Sequence, residues 1–299
     1  GPRGRKEFRM NEMKRNVEEI NRILKDEEFY IEYNKVQKNN VNKEAYRLIP
    51  KTQKTCSPVA YCENFENCSD NTEIAKELIN IWNKGKSYEI PDIEELGSRE
   101  FILKNVYPKV VANTNNELID GQHLVFKEFL DMFVIYYVNI GADNEGTASY
   151  NVQEKMIANA GIDMEELHSQ AIKNLEKEVS IKDMQDIIMN IIGITDESEF
   201  DFSQVPEENQ MLVLSKKDSM YGASVILCAS VLEKLDSFWN GEFVILPSSV
   251  HECISVRSDG FTLQEMKEMV MEINDTEVSP EDRLTDSVYV YRDGKLTKF

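Results

Sequence analysis

Residues 243–257 read FVILPSSVHECISVR, and this stretch decides how the carboxyl-terminal third is read. Two strand-like apolar runs, Phe243–Leu246 and Cys253–Val256, flank a short polar corner, Pro247–Glu252. Strands separated by only about six residues cannot run parallel without a crossover, so the two runs are expected to pair as an antiparallel hairpin. The corner also holds the chain's densest group of chemically capable side chains: Ser248, Ser249, His251 and Glu252.

Upstream of the hairpin, Met211–Leu214 reads as a strand, Tyr221–Leu227 as an apolar segment, and Val231–Trp239 as a helix presenting Leu232, Leu235, Phe238 and Trp239 on one face. Downstream, Thr262 with Glu265 makes a capping box for a helix carrying Leu263, Met266, Val270 and Ile273, which should cover one face of the hairpin sheet. Ser279-Pro280-Glu281-Asp282 reads as a second helix start with proline at the first helical position, and Ser287–Arg292 as the closing strand. This order predicts an α+β fold of antiparallel sheet layers covered by helices.

Earlier in the chain, Met13, Val17, Ile20 and Leu24 have helical spacing, Phe29–Val36 alternates as a strand, and KNN at 38–40 turns the chain into a second strand, Ala45–Ile49. Val59–Cys62 adds a third strand, and Ile74, Leu78, Ile81 and Trp82 line a helix that must pack on these strands. Phe101–Ala112 fits helix or strand. Leu124–Ile140 reads as a short helix running into a buried strand, Phe133–Asn139, followed by the acidic turn Asp143–Gly146 and a strand at Ala148–Val152.

From Val152 to Ile192 the signals predict a helical middle section. Gly161 is a helix stop, Asp163 with Glu166 and Ser180 with Asp183 are cap patterns, and Gly193 ends the third helix. His168 reads as a packed or half-exposed helix histidine.

These signals divide the chain into a leading scar at 1–9, an amino-terminal β plus helical part at 10–194, an acidic linker at 195–209 and a carboxyl-terminal α+β part at 210–299. One continuous core is expected, because the amino-terminal strands are too few to stand unsupported. The scar, GPRGRKEFR, lacks the apolar region of a targeting signal.

The 299 residues are 41% hydrophobic and 29% charged, a globular composition. The longest apolar run, Met132–Val138, is far short of the roughly 20 residues of a membrane span, so a soluble chain is expected. The formal charge of −20 repels phosphate backbones and anionic membranes, and no basic patch offsets it. It suits a basic protein partner, such as a nucleic-acid-binding protein, and no direct nucleic-acid contact. Five cysteines without a signal peptide suggest a reducing compartment, and Cys56, Cys62 and Cys68 lack the tight pairing of zinc ligands. His123, His168 and His251 lie far apart, no glycine-rich phosphate loop is present, and the adjacent pairs Glu27-Glu28, Glu94-Glu95, Glu165-Glu166 and Glu207-Glu208 read as solvated surface. No metal or cofactor is expected.

The run MLVLSKKDSMYGASVILCASVLEKLDSFWNGEFVILPSSVHECISV (211–256) and the later EMVMEINDTEVSPEDRLTDSVYVY (268–291) resemble the carboxyl-terminal half of an uncharacterised bacterial family with a domain of unknown function. SPVAYCENF (57–65), EIAKELINIW (73–82) and VIYYVNIGADNEGTASYNV (134–152) resemble its earlier blocks, and ILPSSVHE is the most specific part. That family is common in anaerobic Gram-positive gut bacteria and is often encoded on mobile elements. The resemblance implies one shared architecture and a cytoplasmic bacterial origin, with no activity attached.

Two functional readings follow. The first is a non-enzymatic acidic interaction, inhibitor or accessory protein of a mobile element or phage, with the corner Ser248, Ser249, His251 and Glu252 as a binding surface. The alternative is a small hydrolase or ligand-binding enzyme centred on His251, with Ser249 as nucleophile or ligand contact and Tyr221 or Asn274 supplying hydrogen bonds. Ser249 and His251 are two residues apart and would share a side of an extended backbone, but no nucleophile elbow or orienting acid accompanies them in sequence.

Overall fold

The computed structural model describes residues 2–52, 57–86, 90–143, 146–184 and 210–299. They form two units, Gly1–Ser98 with Ile140–Thr147, and Arg99–Asn139 with Ala148–Phe299.

In the first unit, helix α1 (Pro2–Ile23) starts within the residues set aside as a scar and leads to strands β1 (Phe29–Gln37), β2 (Asn42–Pro50) and β3 (Val59–Tyr61). These pair antiparallel in the order β1-β2-β3. The KNN turn puts Asn40 at φ 61°, a left-handed conformation that asparagine tolerates. Helix α2 (Asn71–Lys86) buries Ala75, Leu78 and Trp82. They pack on the strands as the apolar spacing demands, with Trp82 stacked on Phe29 at 4.8 Å and with Ile20 and Leu24 of the first helical segment in the same cluster. The Asn21 side chain closes part of the sheet edge: the Ile31 N–H donates to its Oδ1 at 2.8 Å, and its Nδ2 donates to the Ile31 carbonyl at 2.9 Å. A short helix α3 (Ile93–Leu96), capped by Asp92, completes this unit.

The second unit opens with helix α4 (Arg99–Asn105) and strand β4 (Val106–Ala112), so the ambiguous segment is helix first and strand after. Helix α5 (Asn116–Gln122) and strands β5 (Phe126–Phe129), β6 (Met132–Asp143) and β7 (Gly146–Asn151) follow, with β4, β5 and β7 all pairing with β6, whose last residues from Ile140 belong with the start of β7 to the first unit. Helices α6 (Glu154–Ala160) and α7 (Met164–Glu176) come next, with Gly161 left-handed at φ 67° and Asp163 accepting the Glu166 N–H, as their punctuation predicts.

Strands β8 (Val179–Asp183) and β9 (Met211–Lys216), helix α8 (Ala229–Trp239), strands β10 (Phe243–Pro247) and β11 (Cys253–Arg257), helix α9 (Leu263–Thr276) and strands β12 (Tyr289–Arg292) and β13 (Lys295–Lys298) complete the unit. Six of these strands make one antiparallel sheet in the order β13-β12-β10-β11-β9-β8. The predicted hairpin forms with Phe243 opposite Arg257 and Pro247 opposite Cys253. Alternation along β10 sends Phe243 and Ile245 into the main core with Val231, Leu235 and Trp239 of α8, and Val244 into a second cluster with Met266 and Val270 of α9. Helices therefore cover both faces of the sheet. The α9 capping box is present as read from Thr262 and Glu265.

Five local expectations are corrected. The helix expected from Leu124 is strand β5, because Phe126–Phe129 gains a ladder on β6 and Phe126 packs edge-on against Phe133 at 5.1 Å. The helix expected from Ser180 does not begin there: Val179–Asp183 pairs with β9, β-branched Val179 and Ile181 suit that ladder, and the first helical residue is Met184, directly after Asp183. The remainder of that expected helix to Ile192, Gly193 and the acidic linker 195–209 lie outside the described residues, as does Cys56. On α8 it is Val231, Leu235 and Trp239 that are buried, while Phe238 is 52% exposed. Ser279–Asp282 makes a single turn, with the Asp282 and Arg283 N–H groups both reaching the Ser279 carbonyl, and goes no further. The chain does not close at Arg292: Asp293 and Gly294, at φ 54° and 77°, form the tight turn that such a pair favours and lead into β13. Residues expected on opposite sides of the acidic segment also share the main core, from Ile102 through Leu296.

Candidate functional site

The corner between β10 and β11 is held by its own side chains. The Ser248 and Ser249 N–H groups both donate to the Glu252 carbonyl, at 3.3 and 3.2 Å, and the Ser248 hydroxyl donates to Glu252 Oε1 at 3.2 Å. Ser249 Oγ accepts the backbone N–H of His251 at 3.0 Å. From outside the corner, the Ser215 hydroxyl donates to the His251 carbonyl at 2.7 Å, and the Val250 N–H donates to the Asp282 carbonyl at 2.8 Å.

The His251 ring, 29% exposed, is engaged at both nitrogens. Nδ1 accepts the Tyr221 N–H at 2.9 Å, and Nε2 lies 3.2 Å from Asp282 Oδ1. An acceptor Nδ1 has no proton, so in the neutral ring Nε2 carries it and donates to Asp282. Neither nitrogen is then placed to take a proton from Ser249, whose hydroxyl meets the histidine backbone instead of the ring. Tyr221 can offer its N–H because it is left-handed at φ 56°, which turns the backbone towards the corner. Gly222 follows where no larger residue fits: a Cβ there would lie 2.2 Å from Ser215 Oγ, 2.4 Å from Lys216 N and 2.7 Å from the His251 carbonyl.

Behind Tyr221 lies a cluster that the sequence reading did not assemble. The Tyr221 ring is 5.2 Å from His251 and 5.3 Å from Tyr137, and Tyr137 stacks on Tyr107 at 5.8 Å. Two ammonium groups enter it. Lys109 Nζ sits 4.3 Å from the Tyr221 ring centre, and Lys216 Nζ sits 4.4 Å from that of Tyr107 while donating to Tyr137 Oη at 2.7 Å. The Lys216 side chain is 2% exposed and its nearest carboxylate, Asp218, is 3.4 Å away. Burial pushes the Lys216 ammonium below the ordinary lysine range, against the pull of Asp218 and Glu178. Burial likewise pushes the Tyr137 and Tyr107 phenols up, so both stay protonated and neutral. Cation–π contacts of desolvated lysines contribute about 2 kcal/mol, enough to offset part of the cost of burying the charge.

A family model described only as a family of unknown function, DUF5688, matches residues 6–293, nearly the whole chain. The chain belongs to that family. No curated protein and no solved structure matches it. The DUF5688 match spans both units and includes the corner, the tyrosine cluster and Asp282, so the whole site lies on family sequence.

Other residues singled out in this DUF5688 chain have separate duties. Asn274 is buried in α9 and donates to the Thr285 carbonyl at 2.9 Å and to Asp286 Oδ1 at 2.8 Å, holding the segment before β12. His168 is half-buried on α7, and its Nδ1 lies 2.6 Å from the Tyr136 hydroxyl. Burial, then the charge of Lys127, pushes His168 below its ordinary value. The neutral ring accepts at Nδ1 from the Tyr136 phenol, which burial keeps protonated. Asp131 accepts from Ser287 Oγ and Tyr289 Oη, both at 2.6 Å, and ties the β5–β6 turn to β12. Among the described residues no group of three or more His, Cys, Asp or Glu side chains is arranged to hold a metal ion, and no helix is long and apolar enough to cross a membrane.

Two signals could have found the cluster. Lys216 continues the alternation Leu212, Leu214, Lys216 of β9, which sends it inward, and Tyr107 and Lys109, two apart on β4, share the half-buried face opposite Val106, Pro108 and Val110. Asp282 has no such signal, since its place beside His251 depends on where a loop 31 residues away closes.

Proposed function

We propose that this chain is a non-enzymatic, acidic interaction or accessory protein that acts by covering a basic protein partner. The observation that supports it is the commitment of the corner. Both His251 nitrogens and the Ser249 hydroxyl are engaged by groups of the same chain, an arrangement that braces a loop and leaves no nucleophile–base pair. With chemistry disfavoured there, the formal charge of −20 becomes the chain's dominant long-range property, and it steers basic proteins inward and nucleic acids away. The partner that fits is a basic nucleic-acid-binding protein, whose phosphate-binding surface this chain would occupy. The setting consistent with the family resemblance is the cytoplasm of a bacterium carrying a mobile element or phage.

The test is affinity capture from native lysate at low and high salt, together with ester, peptide and phosphoester hydrolysis assays on the wild type and Ser249→Ala. A stoichiometric basic partner released by salt, with no turnover, is the expected result. Hydrolysis lost in Ser249→Ala would overturn the proposal in favour of an enzyme.

A further inference from the structure

We infer that the solvent face of α9 is a docking surface for a basic amphipathic helix of a protein partner. This rests on the acidic-interaction reading above and adds the place of contact and the pattern the partner must carry.

The helix buries Met266, Val270 and Asn274, and a spacing of four fixes which face points inward. Helical geometry then puts Glu265, Glu268, Glu272 and Asp275 along the opposite face, and all four are exposed. Glu265 is partly held in the capping box and Asp275 faces Arg283 at 3.9 Å. Among the described residues, Glu268 and Glu272 have no cation within ion-pair reach.

Apolar side chains border this acidic ridge. Met269 and Ile273, one turn apart, are 39% and 46% exposed on one flank, and Met271 is 43% exposed on the other. Single exposed apolar residues are ordinary. Here three of them share a 14-residue helix with four exposed acids, and two of the three are methionines, whose flexible thioethers repack against varied shapes.

The charge selects the occupant. A second copy would set ridge against ridge between chains of formal charge −20, and a nucleic acid would meet the same repulsion. A helix with Lys or Arg at i, i+3 or i+4, and i+7, flanked by Leu, Ile or Phe, matches both the ridge and its borders.

A displayed library of helical peptides, selected on the full chain, tests this. Selected peptides are then measured against Met269→Gln with Ile273→Gln, and against Glu268→Gln with Glu272→Gln. These positions lie outside the buried stripe, and a thermal unfolding curve verifies that each variant folds. The expected result is enrichment of basic amphipathic sequences that bind the wild type about tenfold or more tightly than either variant, with a weaker salt dependence in the glutamine-for-glutamate pair. Enrichment of sequences without the basic pattern, binding indifferent to both variants, or no enrichment overturns the inference. If lysate capture yields a salt-sensitive partner that both variants retain, the α9 surface is wrong and the wider reading stands. If no salt-sensitive partner exists, the wider reading fails with it.

Discussion

Replacing Gly222 by Ala should damage the second unit through sterics alone. The added methyl would lie 2.2 Å from Ser215 Oγ, 2.4 Å from Lys216 N and 2.7 Å from the His251 carbonyl, and two of those three atoms belong to backbone that is fixed in the sheet and the corner. Forcing one carbon into a filled site costs about 1–3 kcal/mol. Displacing the Ser215 hydroxyl also weakens its 2.7 Å bond to the His251 carbonyl, worth about 1 kcal/mol. Against this, alanine restricts the unfolded chain and returns about 0.4–1 kcal/mol. The net loss is about 1–3.5 kcal/mol, and at about 2–4 °C per kcal/mol for a unit of this size the unfolding midpoint should fall by about 2–14 °C. Thermal unfolding followed by circular dichroism reads this directly. Gly85→Ala is the matched control, because its methyl meets only Pro58 Cγ at 3.9 Å and sits in α2, where alanine is favoured by about 1 kcal/mol. If Gly222→Ala melts within about a degree of the wild type, the close approach of the Gly222 turn to Ser215 and the corner is wrong.

Three further outcomes follow from the buried groups. Lys216 has a depressed folded-state pKa, so its contribution is most favourable above the ordinary lysine value of about 10.4 and is lost as pH falls through the folded value. Denaturant unfolding should therefore show Lys216→Met gaining on the wild type as pH is lowered from about 10.4, and parallel pH curves would contradict this. His168 follows the same sign in a lower window: its stabilisation is present above about pH 6.5 and lost as pH falls through its depressed value, so the wild type should lose stability on acidification more steeply than His168→Gln. Burial pushes the Cys228 and Cys253 thiols up to about 12, so iodoacetamide mapping of the native chain should leave both unmodified and label them only after unfolding.

What could be read from the sequence was whatever depends on neighbours along the chain. The β10–β11 hairpin, the Thr262–Glu265 box, the Asp163 cap and the Gly161 stop are all settled within a few residues, and all stand in the structure. Errors arose where a distant partner supplied the deciding energy. Val179–Asp183 carries a good cap pattern, yet a ladder on β9 outweighs it, and Phe126–Phe129 is strand only because β6 is there to receive it. At the site, the corner was visible as a cluster of polar residues, but its meaning was not. Whether Ser249 meets the His251 ring or its backbone depends on the ring being claimed by Tyr221 and Asp282, which arrive from two other loops. Lys216 was overlooked because a lysine ending a strand is normally solvated, although alternation with Leu212 and Leu214 points it inward.

The amide of Asn21 bears on the colloidal behaviour of the first unit. By bonding both backbone groups of Ile31, it acts as a one-residue counterfeit strand on the open side of β1. A second molecule approaching that edge in ladder register would have to break two good hydrogen bonds before making its own, so one helix side chain serves as a guard against cross-chain stacking.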